Sequence, residues 1–238
     1  MVDIIDGGLI MITEEIVHVN GIPKKLIVLL HGYQNSAEYI DRKTTLLHDI
    51  DNVAIHIPQS PFVNEIDNTQ RQWFSIHQFD PNDMRRSTTS WDEVVDLYNR
   101  MTVGLAEANY YILQYVDGLL NEYSLGYSDL ILCGFSQGAM CALYSGLMCP
   151  HKVAGVVSFS GILAAKGYIE KHGKSKPDCL IMHAKDDDKI KFDALDFTRK
   201  NLSDIGCKVD VVELENQGHR ISSEAVEVAY NFIKSKIK

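Results

Sequence analysis

Three kinds of residue in this chain have the types and spacing for acyl transfer. Ser136 stands in Gly134-Phe135-Ser136-Gln137-Gly138, between an apolar run and a small-residue segment. A serine between two glycines at a strand-to-helix corner is pushed to the apex of a strained turn, where its hydroxyl is open to attack a carbonyl. Such a nucleophile needs a base, and Gly218-His219 follows the strand-like "VVELENQ" just ahead of the last helical segment. The base needs a carboxylate to orient it and to stabilise its charged form. "CLIMHAKDDDKI" offers Asp186, Asp187 and Asp188 between the other two. Residue types alone do not choose among these three. Each group has a bland reading as well: a capping serine, a loop histidine, a solvated acidic turn. Two further histidines, His31 and His183, end apolar runs and read as loop-shaping or packed groups rather than proton carriers.

The elements that must position these groups are legible from periodicity. "EIVHV" and "KKLIVLLHG" flank Asn20-Gly21, a strong hairpin signal. Ser36 to Asp51 reads as a helix capped by Ser36. "NVAIHIP" is a strand stopped by Pro58. Residues 59–90 are irregular and rich in prolines and aromatics. That length suits a lid or a short hidden helix, and it follows the carboxyl end of a strand, where α/β folds bind ligands.

Trp91 to Tyr123 is one long helix or two in series, with Gly104 a candidate break. Beyond it, strands near 129–135, 153–160, 179–184 and 208–214 alternate with helices over 137–148, 192–205 and 222–236. Continuous apolar strands alternating with helices predict an α/β chain. Its central sheet is mostly parallel, with helices on both faces and an antiparallel N-terminal hairpin. The chain is expected to form a single domain over 1–238, with a lid or pocket-forming insertion at about 59–90. With the strands so placed, serine, acid and histidine each follow a strand's carboxyl end, in the α/β-hydrolase order.

Composition narrows the function classes. The formal net charge of −9 argues against a nucleic-acid partner. Lys166, Lys171, Lys174 and Lys176 read as a solvated loop. No run approaches the roughly 20 apolar residues of a transmembrane helix. The five cysteines (133, 141, 149, 179 and 207) show no C-x-x-C spacing. They read as buried free thiols, and with no signal-peptide pattern at the N-terminus they imply a cytoplasmic setting. Met11 is an alternative start, so residues 1–10 carry little of the argument.

The blocks "LLHGYQNSAEYI", "RQWFS", "GFSQGA", "GVVSFSG", "MHAKDDDKI" and "QGHRI" resemble, in the same order, those of the phospholipase/carboxylesterase family. That family includes acyl-protein thioesterases and small bacterial carboxylesterases, and the bacterial branch is the more similar. The resemblance implies an α/β-hydrolase fold and a serine esterase or thioesterase with Ser136, Asp187 and His219 as its triad. Asp187 is singled out by the family's H-G-x-x-D-x-x-V register. The resemblance also implies oxyanion donors at the backbone N–H groups of Tyr33 and Gln137, whose side chains would then be free to vary.

His31-Gly32-Tyr33-Gln34-Asn35 departs from the family's H-G-L-G-D. Its bulkier side chains are expected to reshape the acyl pocket. Trp73 and Phe74 either line that pocket or anchor their loop against the core. The expected substrates are a small acyl ester, a lysophospholipid or an acylated protein, with weak peripheral membrane contact through 59–90 a further possibility. This chemistry calls for no metal and no organic cofactor. The rival reading is a binding protein that keeps the fold without catalysis.

Overall fold

A computed structural model describes residues 11–237; the reading of residues 1–10 lies outside them. Strand β1 (Glu15–Asn20) alternates half-buried and exposed positions, as an edge strand does. Strand β2 (Lys25–Leu30) is buried from Leu26 onward. Helix α1 (Ala37–Lys43) starts at Ser36, whose hydroxyl accepts the Tyr39 N–H, and stops where the Thr44 hydroxyl bonds back to the Ile40 carbonyl. The helix expected over Ser36–Asp51 is therefore split, its second half being a 3₁₀ turn over Thr45–Asp49.

Strand β3 (Val53–Pro58) is wholly buried. The irregular stretch after it contains a two-stranded hairpin, β4 (Phe62–Val63) with β5 (Arg71–Gln72), and a single helical turn, α2 (Met84–Ser87). Helices α3 (Trp91–Arg100) and α4 (Thr102–Glu122) follow, and they part at Met101 rather than at Gly104. Gly104 lies inside α4 for another reason: a Cβ there would sit 2.8 Å from the Cβ of Phe74. The glycine lets the aromatic loop close onto the helix.

The second half alternates strictly: β6 (Leu130–Phe135), α5 (Gln137–Met148), β7 (Gly155–Phe159), α6 (Lys166–His172), β8 (Asp178–Ala184), α7 (Asp193–Asp204), β9 (Lys208–Leu214) and α8 (Ser223–Lys234). Helix α6 occupies the lysine-rich stretch read as a loop, where its seven residues are too few for a clear period.

Seven strands form one sheet in the order β1-β3-β2-β6-β7-β8-β9, all parallel except β1. The antiparallel N-terminal strand is present, but its ladder partner is β3, with β2 on the far side of β3. Burial explains the order. Leu26, Val28 and Leu30 of β2 enter the core on one face of the sheet, while Ile27 and Leu29 enter the core on the other. A strand apolar on both faces belongs inside the sheet, and half-exposed β1 belongs at its edge. Each such side chain stabilises the fold by about 1.5–3 kcal/mol relative to exposure. The parallel strands end together, so the loops after β2, β3, β6, β8 and β9 share one rim.

Candidate active site

Ser136 holds φ 55° and ψ −115°, a conformation costly for any residue with a Cβ. Its neighbours make the strain possible. A Cβ on Gly134 would lie 2.2 Å from the Gly138 carbonyl oxygen, and one on Gly138 would lie 2.2 Å from that of Leu30. Only glycines allow α5 to turn back against β6 and rest on the end of β2. The Ser136 N–H is tied to the Phe159 carbonyl on β7, fixing the corner to the sheet.

His219 reaches Ser136 across the rim: its Nε2 is 2.9 Å from the serine Oγ, and its Nδ1 is 2.8 Å from Asp187 Oδ2. The carboxylate can only accept, so Nδ1 carries the proton and Nε2 is left to accept from the serine. The Phe135 ring lies 4.9 Å from the imidazole, centroid to centroid, and covers it.

The three aspartates divide the work around this histidine. Asp186 accepts the Gln217 and Gly218 N–H groups, both at 2.9 Å, and so holds the loop that carries His219. Asp187 is the one that touches the imidazole. Its other oxygen accepts the Lys189 and Ile190 N–H groups. Asp188 points to solvent beside Lys189. Burial alone would raise the Asp187 pKa, but hydrogen bonds from His183 and His219 and from the loop amides outweigh it. The carboxyl is held well below its usual range.

The loop after β2 closes the other side. His31 is fully buried: its Nδ1–H donates to the Gly32 carbonyl at 2.8 Å, and its Nε2 accepts the Ser60 N–H at 3.1 Å. Burial lowers its pKa to about 4, so it is neutral and shapes the loop, as its place in the sequence suggests. The loop passes close enough to the elbow that a Cβ on Gly32 would meet the Ser136 Cβ at 3.4 Å. The Tyr33 and Gln137 N–H groups donate no hydrogen bond among the described residues.

The Gln137 side chain is not free to vary. It is buried, its Oε1 accepts the Trp73 N–H and its Nε2 donates to the Phe74 carbonyl, each at 2.8 Å. Trp73 adds a bond from its indole N–H to the His31 carbonyl. Neither Trp73 nor Phe74 lines the cavity beside Ser136; both are buried and hold the 59–90 segment on the core. That cavity, of about 160 Å³, is bounded by Tyr33, Gln34, Ile76, Tyr98 and Met140 together with Arg85. Tyr33 and Gln34 both stand in its wall.

Several residues of the site are not singled out by sequence. Glu65 accepts from the Tyr33 hydroxyl at 2.9 Å, from the Ser75 hydroxyl, and from the Ile76 and His77 N–H groups. It thereby fastens the insertion to the loop after β2. Arg85, at the cavity wall, forms an enclosed pair with Asp80 at 2.7 Å. Both sit in the irregular stretch, where no period or motif marks them.

A mostly parallel seven-stranded sheet with a strained serine corner at its centre defines the α/β-hydrolase fold. Residues 11–237, the whole described chain, match the phospholipase/carboxylesterase family. The chain belongs to that family. An acyl-protein thioesterase 1 of Aspergillus fumigatus is 30% identical over 116 residues, which are 46% of this chain and 48% of that one, so the chain matches about half of that relative's length. The acyl-protein thioesterase 1 of Schizosaccharomyces pombe is 25% identical over 89% of this chain and 90% of its own. Among solved structures, that of esterase PE8 superposes with a TM-score of 0.80 at 26% identity, covering 94% of this chain and 98% of the other. Arabidopsis thaliana SOBER1 shares the fold with a TM-score of 0.73 at 21% identity, covering 90% and 99%.

Proposed function

We propose that the chain hydrolyses carboxylic esters or thioesters through an acyl-enzyme on Ser136. The observation that carries this reading is the unbroken relay from Ser136 Oγ to His219 Nε2 and from His219 Nδ1 to Asp187 Oδ2, at 2.9 and 2.8 Å. His219 takes the serine proton as Oγ attacks the acyl carbonyl. Asp187 keeps the imidazole in the tautomer that can do so and stabilises the imidazolium that forms. The Tyr33 and Gln137 N–H groups receive the developing oxyanion, each such donor being worth about 3 kcal/mol. The imidazolium then protonates the leaving alcohol or thiol. Water, deprotonated by His219, releases the acid and restores Ser136.

The chain acts as a single domain whose 59–90 insertion walls the acyl pocket. The substrates are small acyl esters, lysophospholipids or acylated proteins, in keeping with the family and with the names of its thioesterase relatives. A cavity of about 160 Å³ favours short acyl groups, being small beside the roughly 300–1,000 Å³ of ordinary ligand pockets. Val63, Ile66 and Met84 of the insertion are exposed, which supports a peripheral contact with lipid surfaces. Sedimentation with liposomes, with and without anionic lipid, tests that contact.

The experiment is hydrolysis of p-nitrophenyl esters from C2 to C12 by the wild type and by Ser136→Ala. Turnover falling from an optimum at short chains, and lost in the variant, is the expected result. Turnover that survived the substitution would remove Ser136 from the mechanism.

A further inference from the structure

Away from Ser136, three side chains from three separate segments converge on one point at the β1 edge of the sheet. His18 comes from β1, Asp41 from α1 and His48 from the 3₁₀ turn. His18 Nε2 lies 2.6 Å from Asp41 Oδ1, and His48 Nε2 lies 3.3 Å from the same oxygen. The two imidazoles stack nearly parallel, with centroids 3.7 Å apart and planes at 18°, and the Nε2 of each lies beside that oxygen. All three donor atoms fall within 4.8 Å of one another. Tetrahedral zinc with bonds of about 2.0–2.1 Å wants its ligand atoms about 3.3 Å apart, so small side-chain adjustments suffice.

A second observation points the same way. His48 Nε2 is shut off from solvent, yet it makes no aligned hydrogen bond, even to the nearby carboxylate. Buried polar atoms are nearly always satisfied, and a metal ion held among the three donor atoms would supply the partner. The three side chains themselves are only partly buried, so the cluster lies near the surface.

We propose that His18, Asp41 and His48 bind one divalent transition-metal ion of the zinc class. Two imidazoles and one carboxylate suit zinc, cobalt or nickel rather than magnesium or calcium, which prefer all-oxygen sets. The ion would tie edge strand β1 to α1 and to the turn after it. Its role is structural: α1 begins directly behind the Tyr33 loop, so the tie steadies that loop from outside the reaction centre.

The test titrates the full-length, reduced protein with Zn²⁺ and with Co²⁺, and follows its melting in saturating Zn²⁺ and in EDTA. One equivalent should bind and raise Tm. His48→Ala and Asp41→Asn should each weaken binding more than about 100-fold, beyond the 10–100-fold usual for losing an outer-shell partner, and abolish the Tm shift. The cobalt form should lack a thiolate charge-transfer band, since the five cysteines lie elsewhere. Metal-free melting of each variant verifies its folding, and His18→Gln provides a third variant if one fails. Absence of saturable one-to-one binding to the wild type would overturn the proposal. So would equal affinity in the folded variants, or a thiolate band.

Discussion

His183 shares with His219 a single oxygen of Asp187: His183 Nε2 lies 3.2 Å from Oδ2, and His219 Nδ1 lies 2.8 Å from it. His183 Nε2 also faces the Ile190 carbonyl at 2.9 Å. A carbonyl can only accept, so this nitrogen must carry a proton, which it donates to that carbonyl with Asp187 Oδ2 alongside. The buried histidine thus positions the carboxylate that positions the proposed base. Removing it should lower kcat by about tenfold and leave KM nearly unchanged, in line with other outer-shell supports. His183→Ala assayed beside His183→Gln tests this. Equal loss of kcat and of folding stability in both would reduce His183 to a packing residue.

The acidic triplet should separate cleanly by substitution. Asp187→Asn should cost about 10⁴ in kcat, the size expected when the imidazole loses its orienting anion. Asp188→Asn should stay within about twofold, because that side chain faces solvent. Asp186→Asn should fall between them, since it loosens the Gly218-His219 loop. Steady-state kinetics on one ester decides the order.

Stability should fall on the acid side for a reason that can be assigned. In the unfolded chain His31 takes up its proton near 6.5, but in the fold only near 4. Between those values the unfolded chain holds more protons, so lowering the pH favours unfolding. The effect approaches about 3 kcal/mol by pH 4, at about 1.4 kcal/mol per pH unit. Asp187 acts in the same direction at lower pH, because its folded carboxyl stays ionised below the usual range. Urea unfolding at pH 7 and pH 4.5 should show the loss in the wild type and a smaller loss in His31→Gln.

Gln137 should matter for folding as well as for rate. Gln137→Ala leaves the Trp73 N–H and the Phe74 carbonyl buried without partners. Two such groups cost about 2–6 kcal/mol together. The backbone N–H proposed for the oxyanion survives the substitution, so activity should drop mainly through a loosened 59–90 segment. Limited proteolysis within 59–90 would reveal that loosening, and an unchanged cleavage pattern with unchanged stability would contradict it.

Breaking the enclosed Asp80–Arg85 pair should also destabilise the insertion. Asp80→Asn leaves the buried guanidinium with only the exposed Asp83 carboxylate, at a cost of at most about 3–5 kcal/mol. Replacing both members with apolar residues should restore much of that loss, as a double-mutant cycle in urea would show.

The sequence is most readable where chemistry and periodicity coincide. The apolar runs of β2, β3, β6 and β8 are strands because their side chains must enter a core on both faces. Gly134 and Gly138 mark the elbow because no larger residue fits against the adjoining backbone. The insertion is least readable. Its hairpin, its helical turn and the Glu65 and Arg85 contacts are held by partners distant in sequence, and none leaves a local period. The join at Met101 carries neither glycine nor proline, and α6 is only seven residues long.

Residue types and chain order by themselves determined the alternating strands and helices, the serine corner, and the presence of an acid and a histidine in sequence after it. Those features depend on local sterics and on burial patterns written along the chain. Tertiary structure decided which strand pairs with β1, which aspartate meets His219, and that Trp73 and Phe74 anchor a loop instead of lining the cavity. It also decided that His18, Asp41 and His48 meet at one edge. Each of those outcomes depends on distances between segments far apart in sequence, and no local pattern encodes a distance across the sheet.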